Sequence, residues 1–478
     1  MDICQWIDEN QSLFTQATDK IWGFAELKFE EHQSAKVLKD MLRINGFAVQ
    51  EGVADIETAF IAEYGSGEPI IGILAEYDAL SQMSQKADSL VKEKESEMQN
   101  GHGCGHHLLG GASTAAAIAV KEYLTDQNLS GTIRIYGCPG EEGGGGKTFM
   151  ARSGVFDDLD CAFTWHPSSM NQAANVSTIA NIQAYFHFYG KSSHAAVSPH
   201  LGRSALDAVE LMNVGVNYLR EHIIPEARVH YAVTYTGGQS PNVVQAESEV
   251  LYLIRAPHMN QVQEIYERII NIANGAALMT GTKVVVTFDK ACSDIIPNDT
   301  LGRVMYEKMK LVGVPEFTDE EKSYASYYIN TFSADEKDGN EQLLGALGGS
   351  SQEMGRHMML NRDKPLMDDV MPYFFLNASM PGSSDVGDVS WITPTTQCAT
   401  TCYAASTPNH SWQLVAQGKS SIAHKGMLYA AKVMALSAVE IYLHPEIAEN
   451  AKEELKKHLG EKTYISPIPA GIKPKPYQ

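Results

Sequence analysis

The sequence predicts an α/β protein with a mostly parallel sheet, interrupted by a smaller inserted α+β unit. Three observations predict it. Up to about residue 180, short apolar runs alternate with helix-like segments. From about 181 to 294 the texture changes to period-two strands around two helical stretches. Helical pattern then resumes from about 295. The expected organisation is a discontinuous main domain, 1–180 with 295–478, and an inserted domain at 181–294.

The elements follow in order. Helical spacing covers 3–13 and 30–45, the second closed by Asn45-Gly46, a C-cap signal. Residues 69–75 form a nearly continuous apolar run, as in a strand covered on both faces. Residues 132–137 and 161–165 read the same way, with an Ala-rich helix over about 111–123 ahead of them. In the insert, 183–190 alternates with period two, and a helix at 204–221 follows. Strands are expected at 230–236, 249–255 and 283–289, with a helix at 261–277. Residues 316–370 are polar and irregular, and the proline-rich last dozen residues read as an extended tail.

Composition narrows the function. The 478 residues carry 37 Lys and Arg against 58 Asp and Glu, a net charge of −21. Such a surface repels phosphate backbones and anionic headgroups, so neither nucleic acid nor membrane is an expected partner. No apolar run approaches the ~20 residues that span a bilayer, and the first nine residues lack a secretory pattern. Seven cysteines without framework spacing suit a reducing cytoplasm, the expected location.

The strongest local signal is Gly101-His102-Gly103-Cys104-Gly105-His106-His107, just ahead of the Ala-rich helix. Small residues between a thiol and an imidazole allow both to approach one cation, Cys104 as thiolate and His106 as neutral imidazole. A glycine-rich turn with incidental histidines is the alternative. Strand 132–137 runs into Cys138-Pro139-Gly140-Glu141-Glu142 and four glycines, and strand 161–165 into His166-Pro167. In open parallel sheets, sites gather beyond the carboxyl ends of strands, so Glu141, Glu142 and His166 are placed to share one crevice. Adjacent carboxylates divide the work: one holds metal while the other serves as general base. An isolated Glu-Glu pair is usually a solvated acidic turn; what lifts this one is the run of four glycines, which frees the backbone for close approach to a ligand. Asp78, just past strand 69–75, is a further strand-end carboxylate suited to supporting the motif loop.

Together with His410-Ser411, these segments resemble the M20 metallopeptidase family in its aminoacylase/amidohydrolase branch, over nearly the whole chain. The resemblance implies a catalytic α/β domain with two divalent metal ions, Mn²⁺ or Zn²⁺, and an inserted lid that also dimerises. It implies Cys104, His106, Glu142, His166 and His410 as metal ligands, Glu141 as the base that takes a proton from the attacking water, and Asp78 as support. In the lid it implies His194 as an oxyanion stabiliser reaching a neighbouring subunit, and Asn242 and Arg255 as substrate-binding residues. His424 competes with His410, which matches the ligand motif. His107 departs from the Asp or Asn usual in the branch. The implied substrate is a small amide with a free carboxylate, p-aminobenzoyl-glutamate foremost, with another N-acyl amino acid or dipeptide as the alternative. The implied assembly is a homodimer through the lid or a heteromer with a related subunit; a partner-dependent, non-catalytic subunit is the reading from a different class.

Overall fold

The computed structural model describes residues 1–95, 98–336 and 352–476. Twelve strands among the described residues form two sheets. The larger takes β1 (Ala48–Glu51), β2 (Phe60–Ser66), β3 (Ile70–Ala75), β4 (Gly131–Gly137), β5 (Cys161–Ser168) and β6 (Gln172–Thr178), with the late strands β11 (Phe374–Met380) and β12 (Thr395–Thr401). Their order is β1-β2-β4-β3-β5-β12-β6-β11. The centre, β4-β3-β5-β12, is parallel, and antiparallel pairs flank it on both sides. Burial along almost all of β3 explains its unbroken apolar run.

On the sheet lie the helices His106–Gln127 and Ser421–Leu443, which pack on each other. Both are buried nearly all round, the first with alanines that permit close approach. Ser421–Leu443 is long and apolar enough to cross a membrane by length and composition, and the structure places it in the core.

The second sheet holds β7 (Ala180–Tyr189), β8 (Arg228–Tyr235), β9 (Glu247–Ala256) and β10 (Lys283–Cys292), antiparallel throughout in the order β10-β7-β9-β8. Along β7, buried Ala184, Phe186 and Phe188 alternate with half-buried Gln183, Tyr185 and His187. The helices Ala205–Leu219 and Met259–Thr280 cover the apolar face. β8 is an edge strand and is exposed along nearly its whole length.

Several elements differ from expectation. The first helix is two, Ile3–Glu9 and Gln11–Phe24, parted at Asn10, whose backbone leaves the helical region (φ −103°, ψ 6°) and whose side chain donates to the Trp6 carbonyl. The hairpin β1–β2 has a weak apolar signal and was not expected. Within 316–370 a helix spans Asp319–Ile329, opened by a reciprocal Thr318–Glu321 capping box. A further helix spans Gln352–Asn361, while 337–351 lies outside the described residues. The tail is not a free extension. Ile468 is buried, and Arg152 donates to the carbonyls of Pro469 and Ile472 at 2.8 and 2.9 Å; 477–478 lie outside the described residues.

Candidate metal centre

The parallel strands deliver their side chains to one rim. β3 runs into Glu76 and Asp78, β4 into the loop bearing Glu141 and Glu142, and β5 carries His166. The glycine motif turns the chain into the helix His106–Gln127 at Gly105, which has φ +81° and whose added Cβ would sit 2.2 Å from the Tyr403 hydroxyl. The motif is thereby the helix's own entry, so the helix begins five residues earlier than its alanines suggest. On the acidic loop, a Cβ at Gly146 would lie 1.9 Å from the Pro139 carbonyl oxygen, so the glycine run lets the loop fold back on itself.

These elements bring together Cys104, His106 and His166, with one donor atom of each within 4.8 Å of the others. Cys104, Glu142 and His410 form a second such group, and Glu76, His106 and Glu141 a third. His166 Nδ1 donates to the Pro167 carbonyl at 2.8 Å, which leaves Nε2 facing Cys104 Sγ at 3.3 Å. His106 Nδ1 donates to Asp78 Oδ1 at 2.8 Å, and the other Asp78 oxygen accepts the Glu142 backbone N–H at 2.9 Å. His410 Nε2 lies 3.3 Å from Glu142 Oε1. Its backbone is left-handed, φ +53°, and is held by its N–H to the Gly103 carbonyl.

The donors fit a cation. Among the described residues, buried His106 Nε2 and Glu142 Oε1 have no hydrogen-bond partner, a costly state for polar atoms that a metal ion would relieve. A thiol, three imidazoles and a carboxylate are a ligand set suited to divalent transition metals.

Electrostatics among these side chains follow from crowding. Burial pushes the Cys104 thiol up. Burial alone would depress His106, but Asp78, Cys104 and Glu76 outweigh it and its pKa ends well raised. Glu142 is desolvated, yet His410 and His106 hold it at about 2. Glu141 goes the other way: burial, then the charges of Glu76, Asp385 and Glu142, raise it well above the carboxylate range.

The remaining expected residues lie elsewhere in the chain. His194 is exposed in the insert, its Nδ1 accepting from the N–H groups of Ala196 and Val197. Asn242 is its neighbour, its carbonyl accepting the Ala195 N–H at 2.9 Å. Arg255 is half-buried on β9, with a buried Nε that has no hydrogen-bond partner among the described residues. None of these hydrogen bonds reaches the cluster. His424 pairs with Asp19 at 3.0 Å, so His410 alone of the two stands at the site. His107 and His102 are buried and donate to the Gly418 and Ile21 carbonyls respectively.

Sequence reasoning missed Glu76, Lys147 and Asp385. Lys147 Nζ lies 2.6 Å from both Glu76 Oε1 and Asp385 Oδ1, and all three side chains are buried. The strand-end argument that picked out Asp78 applies equally to Glu76. It also missed two lysines that donate to consecutive carbonyls of the acidic loop, Lys290 of β10 to Glu142 at 3.1 Å and Lys28 to Gly143 at 3.0 Å.

The chain is 48% identical to the B subunit of p-aminobenzoyl-glutamate hydrolase from Escherichia coli K12, over 98% of this chain and 97% of that one. It is 28% identical to the mouse Xaa-Arg dipeptidase, over 96% and 93%. A solved structure of a dinuclear metal-binding M20 peptidase from Bacillus subtilis shares the fold with a TM-score of 0.52 at 16% identity, covering 90% of this chain and 99% of that one. The profile of peptidase family M20/M25/M40 matches residues 72–471, and the chain is a hydrolase belonging to that family.

Proposed function

We propose that the protein hydrolyses the amide of p-aminobenzoyl-glutamate, giving p-aminobenzoate and glutamate. The observation that carries the chemistry is Glu141 standing beside the donor cluster at the end of β4. The substrate rests on the 48% relative and its full-length coverage. Cys104, His106, Glu142, His166 and His410 would hold two divalent ions, Mn²⁺ or Zn²⁺, which when bound polarise the scissile carbonyl and acidify water. Glu141 takes the proton from the attacking water and returns it to the leaving nitrogen. Burial and the charges of Glu76 and Asp385 raise its affinity for a proton. Asp78 fixes the His106 tautomer and the Glu142 backbone together.

The insert would act as a lid. The open edge of β8 suits pairing with a second protomer, which would bring His194 and Asn242 from a neighbour to the cluster. Arg255 would take the substrate carboxylate. A heteromer with a related chain, in place of a second copy, is favoured by that relative being one of a hydrolase's named subunits. A cytoplasmic location suits Cys104, a thiol ligand that must stay reduced; all seven cysteines are free.

The test is release of p-aminobenzoate by the purified chain, with Mn²⁺ or Zn²⁺ supplied and metal counted. Turnover with about two ions per chain supports the reading. Bound metal with no turnover on this amide, or on other N-acyl amino acids and dipeptides, would point to a partner-dependent chain.

A further inference from the structure

We propose that Glu76 is itself a ligand of the cation held by His106, with Lys147 locking the carboxylate's other oxygen. This rests on the metal-centre reading above and adds a donor to it.

The argument starts from geometry. His106 Nδ1 donates to Asp78 Oδ1 at 2.8 Å, so Nε2 is the ring atom left to face a ligand. Glu76 Oε2 lies 3.2 Å from that nitrogen. Glu76, His106 and Glu141 each place one donor atom within 4.8 Å of the others, as the ligands of one ion do. Donor atoms each about 2.0–2.2 Å from a common ion, at tetrahedral to right angles, stand about 3.0–3.4 Å apart, and the observed separation falls in that range.

Charge counting points the same way. Lys147 is one cation between two carboxylates, Glu76 and Asp385, both at 2.6 Å and all buried. One cation does not neutralise two carboxylates, and the second needs a further positive partner. Asp385 is also held by the Lys147 backbone N–H at 2.8 Å, which marks it as the lysine's fixed partner. Glu76 is therefore the carboxylate with an oxygen to spare, and that oxygen is turned to His106. Because Lys147 occupies Oε1, Glu76 can offer the ion one oxygen only. A hard oxygen donor at a site otherwise built from imidazole and thiolate shifts preference toward Mn²⁺.

The test compares metal binding by the full-length wild type with that of Glu76→Gln, which keeps the shape and leaves Lys147 paired with Asp385. Mn²⁺ affinity is read by electron paramagnetic resonance and Zn²⁺ affinity by chelator competition, with no turnover involved. The expected result is a loss of Mn²⁺ affinity of tenfold or more, exceeding the loss for Zn²⁺. Unchanged affinities for both ions would overturn the proposal. If the variant does not fold, the metal-loaded wild-type crystal structure decides: a Glu76 oxygen bonded to an ion supports the assignment, and Glu76 bonded only to Lys147 refutes it. A wild type that binds neither ion would instead sink the metal centre itself.

Discussion

Asp78 grips both halves of the centre, accepting His106 Nδ1–H with one oxygen and the Glu142 backbone N–H with the other. It touches the ring of one expected ligand and the main chain of another, so its loss should loosen both. Asp78→Asn keeps the size but no longer selects the tautomer, and should weaken metal affinity by about 10–100-fold. Competition with a graded chelator measures this; unaltered affinity would show the contact to be incidental.

Glu141 should separate chemistry from assembly. In Glu141→Gln the metal content should match wild type while kcat falls by about 100-fold or more. Elemental analysis beside a p-aminobenzoate release assay reads both, and a variant that turns over normally would remove Glu141 from the role of base.

Metal uptake should be coupled to protons. In the metal-free protein the Cys104 thiol is raised and His106 is well raised, so both are protonated at pH 7. Binding requires both to be deprotonated. Protons are therefore products of binding, and affinity should fall as pH is lowered. Calorimetry in two buffers of different ionisation enthalpy should show release from both groups; pH-independent affinity would contradict it.

If a neighbouring protomer supplies His194, His194→Ala should lower kcat by about 100-fold without changing metal content. Mixing and re-associating it with Glu141→Gln should restore part of the activity, because one composite site then has both groups. Absence of recovery would place the histidine in its own chain's site.

Arg255 has a buried Nε without a hydrogen-bond partner among the described residues. Arg255→Ala should raise KM for substrates with a free carboxylate by about 10–100-fold, the worth of a charged hydrogen bond. Equal effects on a carboxamide analogue would exclude that contact.

Much of this was legible in the sequence, and the reasons are local. β3 announces itself because a strand covered on both faces must be apolar at every position, and the period-two texture of β7 follows from having one covered face. The segment bearing Cys104 and His106 stood out because glycines, a thiol and imidazoles crowd into seven residues just ahead of a helix. What escaped depends on partners far away in the chain. Lys147 reads as an ordinary helix-start lysine until Asp385 and Glu76 are seen beside it. Likewise Lys290 looks like a strand-end surface charge until it is found on the Glu142 carbonyl. The Thr318–Glu321 capping box, by contrast, was local and was passed over inside a polar stretch.

The position of β12 sets an order of events during synthesis. This strand lies between β5 and β6 in the sheet, although it is made more than two hundred residues after them. His410 follows it. A growing chain thus holds Cys104, His106, Glu142 and His166 on an unfinished sheet, with a gap beside β5 and one donor lacking. On the ligand set proposed above, the donors are complete only once β12 has threaded between β5 and β6 and brought His410 with it.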